Sequence, residues 1–204
     1  MDKNDIQKIN NDKSGESYDF DKIIDRSGSG DLKHEALLPR WRRNDLLPLW
    51  VADMDFETPM FITDALKKRL EHSLFGYTIE PKELWQTIIN WIKEHHQWEL
   101  KREWLKFIPG IVKGIGLIIN VYTKPGDKVI IQPPVYHPFR LTPEGNKREV
   151  VFNPLKLRDD GYYDMDFDNL EKVCDDKCRI FILCNPHNPA GICWRKETLQ
   201  QLAD

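Results

Sequence analysis

The sequence predicts an α/β domain with a mostly parallel sheet, and three observations support that fold class. Short apolar segments of strand length alternate along the chain with longer segments whose apolar residues recur at helical spacing. Turns rich in Gly and Pro separate these segments. Residues 179–184 form a nearly uninterrupted apolar run, which is typical of a strand with both faces covered.

Changes in composition predict how the chain is organised. Residues 1–17 are polar and predict a mobile tail. Residues 18–58 contain Gly and Pro but little periodicity, which favours an extended N-terminal arm. Residues 59–204 carry the periodic segments and therefore form the α/β domain.

Three helices are predicted before the first paired strands. The first begins at Pro59 and the second at Pro81, because proline is favoured in the first turn of a helix. A short strand at residues 105–108 is expected to lead through Gly110 into the third. The apolar residues at helical spacing are Ile62, Ala65, Leu66 and Leu70, then Leu84, Trp85, Ile88, Ile89 and Ile92, then Ile115, Leu117, Ile118 and Val121.

Shorter elements alternate in the remainder of the domain. A turn at residues 124–127, with the sequence Lys-Pro-Gly-Asp, precedes them. Runs of apolar residues predict strands, and amphipathic segments predict helices. Strands are expected at residues 129–132, 149–152 and 179–184, and helices at residues 166–174 and from residue 198.

Bulk composition excludes several classes of function. The net charge is −3, from 30 basic and 33 acidic residues, which offers no basic surface for nucleic acid or an anionic membrane. No apolar run approaches the roughly 20 residues that span a bilayer, and the start of the chain lacks a secretion signal. We expect a cytoplasmic protein without a metal site, in which the cysteines are reduced and structural. They are Cys174, Cys178, Cys184 and Cys193, at spacings that match no zinc motif.

Three loops are expected at one edge of the sheet: residues 109–113, 133–139 and 185–191. Each follows a predicted strand, and in parallel sheets the carboxyl ends of strands are where ligands bind. The sequence therefore predicts a site at this edge.

The first loop belongs to the segment Pro-Gly-Ile-Val-Lys-Gly-Ile-Gly, which begins at residue 109. A glycine turn that opens a helix directs free main-chain amides to one point and suits a phosphate. The glycine spacing matches neither a P-loop nor a dinucleotide fingerprint. The alternative is that the glycines only permit close packing of the helix.

The other two loops carry a stiffened aromatic and a repeated Asn-Pro step. Prolines flank Tyr136, whose ring can stack on a planar ligand or simply pack on the surface. In residues 185–191, Asn-Pro-His-Asn-Pro-Ala-Gly predicts an unusual main-chain path that presents amide side chains. His187 is interpreted as structural rather than as a base, because no nucleophile motif is nearby.

Two earlier segments are also candidates. Asp53 and Asp55 stand two residues apart and form either an acid–base pair or, as we favour, solvated loop charges. Tyr77 is either a hydrogen-bond donor or a packed ring, and Gly76 before it is expected to cap the preceding helix.

In this order, these segments resemble the fold-type I pyridoxal-phosphate (PLP) enzymes and, within them, the class I/II aminotransferases. The sequence is most similar to the branch of MalY/PatB-type cystathionine β-lyases. The motifs that carry the resemblance are LPLWVADMDF at residues 47–56, FGY at 75–77, PPVYHPF at 133–139 and CNPHNPAG at 184–191. The resemblance implies a PLP-dependent transferase-like fold, in which residues 59–204 are part of a three-layer large domain.

The resemblance also implies roles for individual residues. The PLP phosphate would be bound at the start of the third helix, Tyr136 would stack on the pyridine ring, and Asn188 would bond its phenolic oxygen. Tyr77 would reach the phosphate of a partner subunit, which implies a homodimer with shared sites. The cofactor-binding residues would be Gly110, Ile111, Val112, Lys113, Tyr136, Asn188 and Tyr77, and the substrate-side residues Trp50, Val51, Ala52 and Asp53.

The resemblance implies a carbon–sulfur β-lyase that acts on a small amino acid, and an aminotransferase is the alternative. The Schiff-base lysine of this family is expected beyond Asp204, so the 204 residues are expected to be an N-terminal portion without a catalytic residue of their own. A non-catalytic remnant that binds a cofactor or a partner is the alternative from another class. A nucleotide-binding Rossmann protein is disfavoured by the glycine spacing.

Overall fold

The computed structural model describes residues 18–204, so the predicted tail at residues 1–17 lies outside the described residues. The chain divides into two compact units, Met1–Glu80 and Pro81–Asp204. The predicted boundary between residues 58 and 59 lies within the first unit. Each unit is described separately.

The first unit contains three helices within its described residues: α1 (Leu32–Glu35), α2 (Leu37–Trp41) and α3 (Met60–Leu70). The first two lie in the segment that was expected to be extended. The third begins directly after Pro59, as predicted. The expectation for Gly76 is wrong, because α3 ends at Leu70 and is capped by Glu71.

The second unit begins with two long helices, α4 (Lys82–His96) and α5 (Ile111–Tyr122), both of which were predicted. The strand expected at residues 105–108 is wrong, since these residues pair with no other strand of the described chain. A strand needs a hydrogen-bonded neighbour, and the apolar spacing alone could not show that none is present. Within residues 18–204, no helix combines the length and apolar character needed to cross a bilayer.

The described part of this unit has five strands and three further α-helices. Four of these eight elements match the predicted segments to within one or two residues. The strands are β1 (Lys128–Ile131), β2 (Glu149–Phe152), β3 (Lys156–Leu157), β4 (Tyr163–Asp164) and β5 (Cys178–Phe181), and the helices are α6 (Pro138–Gly145), α7 (Phe167–Val173) and α8 (Lys196–Ala203).

Three of these strands form a parallel sheet in the order β2-β1-β5, which confirms the predicted class. The central strand β1 is the most buried, with Val129 and Ile131 almost inaccessible to solvent. The expectation for residues 179–184 is wrong in part: β5 ends at Phe181 and is only half buried. Strand β5 pairs only with β1, so its other edge has no strand neighbour among the described residues. The hairpin β3–β4 is antiparallel and was not predicted.

A buried arginine joins α5 to the sheet. Arg148 immediately precedes β2 and is 7% exposed. Its guanidinium donates to the carbonyl oxygen of Thr123 at 2.6 Å, to the hydroxyl of the same residue at 2.8 Å, and to the side chain of Asn120 at 3.0 Å. A cation at the C-terminus of a helix satisfies carbonyl groups that the helix leaves unpaired and complements its dipole. Arg148 therefore complements the negative end of the α5 dipole and holds the C-terminus of α5 against β2.

Candidate functional site

Two of the predicted loops meet at the carboxyl edge of the sheet. The parallel neighbours β1 and β5 end there and continue into residues 133–139 and 185–191. The main-chain amide of Tyr136 donates a hydrogen bond of 2.8 Å to the carbonyl oxygen of Asn188. The two residues that the resemblance assigned to one cofactor ring are therefore hydrogen bonded to each other through the main chain.

Two buried amide side chains, joined by a hydrogen bond, stabilise this edge of the sheet. Gln132 and Asn153 directly follow β1 and β2 and are 2% and 0% exposed. The Gln132 side chain donates to Asn153 Oδ1 at 2.9 Å, and Asn153 Nδ2 donates to the carbonyl oxygen of Asp166 at 2.9 Å. Paired in this way, buried amides hold the strand ends in register without an unsatisfied polar group. The sequence analysis missed both residues, although a polar residue directly after each buried strand was the available signal.

The loop that carries Asn188 is closed by its own main chain. The amide of His187 donates to Ile192 O at 2.7 Å, and the amide of Gly191 donates to His187 O at 2.8 Å. The amide of Asn188 donates to the sulfur of Cys184 at 3.2 Å. Cys184 therefore supports the loop through a polar contact. The four cysteines form no disulfide.

Trp194 holds the start of the same loop. Its indole Nε1 donates to Cys184 O at 2.9 Å, and its main-chain amide donates to Asn185 Oδ1 at 3.1 Å. The ring is 8% exposed and belongs to a cluster with Leu155 and Met165. The sequence analysis did not single out Trp194, because its role depends on a reversal of the chain over nine residues. The loop is therefore tied to the hydrophobic core.

His187 is a buried structural residue in this arrangement. It is 3% exposed, and its ring lies edge-on to Trp194 with the ring centroids 5.8 Å apart. Neither ring nitrogen has a hydrogen-bond partner among the described residues. Burial lowers the pKa of the imidazole. A ring enclosed in this way is neutral at neutral pH, which agrees with the structural interpretation of His187.

The glycines in the segment of the predicted phosphate loop do not all have the same role. Gly110 precedes α5 with φ of 101°, and a Cβ atom placed on it would meet nothing within 4 Å. A Cβ atom on Gly114 would clash with the side chain of Ile108, so this glycine permits close packing, whereas a Cβ atom on Gly116 would make only an ordinary contact with Thr142. The packing interpretation therefore holds for Gly114, and the open geometry at Gly110 leaves the helix start accessible.

The start of α5 has free hydrogen-bond donors. No side chain caps it, and the amides of Ile111, Val112 and Lys113 have no acceptor in the described part of the chain. The first amides of a helix point along its axis at its positive end, where an anion is stabilised. The chemistry of this donor set fits a phosphate group.

The side chains of Tyr136 and Asn188 are available to a ligand. The Tyr136 ring is 38% exposed and touches His137 and Phe139 only in edge-on geometry. Part of its surface is therefore open to solvent, which a stacking role requires. The Asn188 side chain is exposed, and its side-chain amide group forms no hydrogen bond with another described residue. Only the main-chain amide of Asn188 donates to Cys184.

The substrate-side candidates lie in the first unit. Asp53 and Asp55 are not simply solvated: both accept hydrogen bonds from Arg26, and Asp55 also pairs with Lys33 at 2.6 Å. The indole of Trp50 donates to the carbonyl oxygen of Lys33 at 3.0 Å. Both carboxylates are exposed, as the solvated interpretation expects, and their ion pairs also hold the loop in place, which the acid–base interpretation does not describe.

The remaining candidates are exposed. Tyr77 belongs to the same unit as Trp50, and its side chain is fully accessible. Val51 is half buried and Ala52 is exposed. Whether these residues contact a cofactor or a substrate stays a prediction.

A family assignment agrees with this geometry. The sequence profile of the family described as "Aminotransferase class I and II" matches residues 44–204, which include every candidate loop. The chain belongs to the aminotransferase class I and II family. The resemblance stated from the motifs is therefore confirmed, and so is the predicted fold.

Relatives of this aminotransferase class I and II chain include lyases. "Cystathionine beta-lyase PatB" of Bacillus subtilis is 42% identical over 186 residues, which are 91% of this chain and 48% of PatB. A PLP-bound putative aminotransferase from Clostridium difficile 630 has a TM-score of 0.86 and 44% identity, covering 92% of this chain and 48% of that one. Cystalysin from Treponema denticola, a structure that contains pyridoxal 5'-phosphate, has a TM-score of 0.84 and 36% identity over 92% of this chain and 48% of its own. The chain spans about half the length of the relatives it matches.

Proposed function

We propose that the complete gene product is a PLP-dependent carbon–sulfur β-lyase. It would cleave a cystathionine-like amino acid, with the addition of water, to a thiol, pyruvate and ammonia. The main support is the similarity to PatB, a cystathionine β-lyase, over 91% of this chain. The motifs from residue 47 to residue 191 that carry the branch resemblance all fall within that stretch.

The described residues fit PLP as the cofactor. The amides of Ile111, Val112 and Lys113 would hold the phosphate at the start of α5, because they are free donors at the positive end of a helix. Tyr136 would cover one face of the pyridine ring, and Asn188 would donate to the ring oxygen. The Tyr136–Asn188 main-chain bond supports this pairing, since it keeps both side chains at one edge of the sheet. When bound, PLP supplies an electron sink that stabilises negative charge on the α-carbon of an amino acid.

The residues assigned to a partner's phosphate and to the substrate belong to the first unit. Tyr77 would donate to the phosphate held by a second subunit, so the working enzyme would be a homodimer. Trp50, Val51, Ala52 and Asp53 would border the substrate near its carboxylate. Lys113 lies in the first turn of α5 and would serve the phosphate, so no lysine among the motif residues of this chain is assigned to move the α-proton. The proposal includes a cytoplasmic location.

An aminotransferase is the second candidate, and the name of the Clostridium difficile relative favours it. The cofactor residues of this chain would serve both reactions. The cofactor residues named here therefore do not distinguish β-elimination from amino transfer.

Assays on the gene product as its host encodes it distinguish the candidates. Purified protein is supplied with PLP and L-cystathionine, and release of thiol and pyruvate is followed together with the visible absorption of bound PLP. Equal amounts of thiol and pyruvate without an added keto acid support the lyase. Product that forms only with a keto acid acceptor, and without thiol, identifies an aminotransferase. Absence of a PLP band would leave a non-catalytic remnant.

A further inference from the structure

Lys33 is the most buried cation of the first unit among its described residues. It lies on α1 and is 6% exposed. Its ammonium group donates to the carbonyl oxygen of Asp53 at 2.7 Å and to Asp55 Oδ2 at 2.6 Å. A buried lysine is stable only when its charge is paired and its donors are satisfied. Both conditions are met by residues of one segment.

The same residue also binds the other end of that segment. The carbonyl oxygen of Lys33 accepts the indole hydrogen of Trp50 at 3.0 Å. The Trp50 ring is held further by an edge-on contact with Trp41 and by the guanidinium of Arg40, 4.5 Å from the ring centroid. Lys33 therefore contacts residues 50, 53 and 55 through two different groups.

Arg26 reinforces this attachment. Its guanidinium pairs with Asp53, with Asp55 at 3.0 Å and with Asp31 at 3.3 Å. Asp31 is the N-cap of α1, the helix that carries Lys33, and accepts from the amide of His34. Hydrogen bonding from Lys33 lowers the pKa of the Asp55 carboxyl group, so this carboxyl group is ionised at neutral pH. The ion pairs link α1 and the segment into one network.

The residues between the two attachments remain free. The main-chain groups of Val51 and Ala52 form no hydrogen bond with another described residue. The flanking residues Trp50 and Asp53 hold them in place, while their own main-chain groups have no hydrogen-bond partner among the described residues. A segment fixed in this way presents polar main-chain groups to a ligand at little entropic cost, because its conformation is set before binding.

We propose that Lys33 is a positioning residue for the amino-acid substrate, holding residues 50–53 so that the main chain at Val51 and Ala52 is presented to the substrate carboxylate. This inference rests on the proposed function, which places these residues beside the substrate. A bond to a main-chain carbonyl distinguishes Lys33 from a residue that only balances charge. It constrains the backbone of the segment itself.

The variant Lys33→Met tests this role in the complete gene product. It keeps the length and apolar stem of the side chain but removes the donors. The KM for L-cystathionine is expected to rise about ten- to a hundredfold, since misplacement of a binding element by about 1 Å costs activity on that scale. PLP occupancy, read from its absorption, is expected to be unchanged, and kcat to change much less than KM. The matched control is Lys22→Met, which removes an exposed ion pair with Glu57 in the same unit and is expected to leave KM unchanged.

Two further measurements keep the test decisive if Lys33→Met folds poorly or if the wild type is not a lyase. Asp55→Asn removes only the charge of an exposed partner, and a rise in KM that is non-additive with Lys33→Met supports coupling between the two residues. Limited proteolysis with chymotrypsin, analysed by mass spectrometry, reports cleavage at Trp50 and Phe56 without any activity. Faster cleavage in Lys33→Met but not in Lys22→Met supports the attachment. An unchanged KM in folded, PLP-loaded Lys33→Met, or unchanged cleavage, overturns the proposal, whereas a wild type without thiol release overturns the lyase alone.

Discussion

The main-chain amide of Tyr136 donates to the carbonyl oxygen of Asn188 at 2.8 Å, and this bond joins two loops that are 52 residues apart in sequence. Both loops follow parallel strands, so their starting points are fixed by the sheet. The bond itself leaves both side chains free, because it uses only main-chain groups. Side chains of both loops could therefore bind one cofactor ring while the main-chain hydrogen bond between the loops stays intact.

The start of α5 provides the first prediction. Gly110→Ala is expected to weaken PLP binding and to destabilise the fold by about 1–3 kcal/mol, because φ of 101° is strained for any residue with a Cβ atom. Space is not the cause, since nothing lies within 4 Å of the new atom. Equilibrium dialysis with PLP and urea denaturation measure the two effects.

The control for this substitution is Gly116→Ala in the same segment. Gly116 lies inside α5, and a Cβ atom there would sit 3.5 Å from Thr142 Cγ2, which is an ordinary contact. Alanine is expected to leave PLP binding intact and to stabilise the helix by up to about 1 kcal/mol. Equal loss of PLP affinity in both variants would contradict a specific role for Gly110.

Trp194 provides a prediction about the Asn188 loop. Trp194→Phe keeps an aromatic ring but removes the donor to Cys184 O, so the free energy of unfolding is expected to fall by about 1 kcal/mol or more. Trp194→Ala also empties a buried position and is expected to cost about 3–5 kcal/mol. Urea denaturation separates the two variants. If both lose the same free energy, the indole hydrogen bond makes no separate contribution.

Burial of His187 predicts a pH dependence of stability. Its pKa in the folded protein lies below the ordinary value of 6.5, so the unfolded chain binds the proton first as the pH falls. The contribution of the neutral ring is fully present above pH 6.5 and is lost as the pH drops from there through the lower folded pKa. His187→Phe is expected to flatten the unfolding free energy in that range, as measured by urea denaturation at several pH values. A profile identical to that of the wild type would contradict this assignment.

Arg148 provides a prediction about the attachment of α5. Arg148→Met is expected to reduce the free energy of unfolding by about 1.5–3 kcal/mol, the usual range for hydrogen bonds to a charged group. The matched control is Arg140→Met, which removes an exposed pair with Glu144 one helical turn away and should cost about 0.5 kcal/mol or less. Thermal or urea unfolding provides the comparison. Similar losses in the two variants would mean that burial of Arg148 adds nothing.

Local periodicity predicted most elements, and its failures have a common cause. The helices at Lys82–His96 and Ile111–Tyr122 were found because their apolar spacing and proline or glycine starts are local signals. Residues 105–108 have strand-like composition but no partner, and a pairing partner is not a local property. Gly76 was placed at a helix end that lies six residues earlier, because α3 stops at Leu70 before the apolar residues do.

The sequence by itself determined the α/β class, the family and the loops that carry its motifs, because each depends on residue type and short-range spacing. Only the tertiary structure decided what supports those loops. The Gln132–Asn153 pair, the Trp194 bonds and the contacts of Lys33 join residues that are 21, 10 and up to 22 positions apart. Such contacts depend on how strands and helices are placed in space, and a buried polar group is satisfied by whichever partner the fold brings to it.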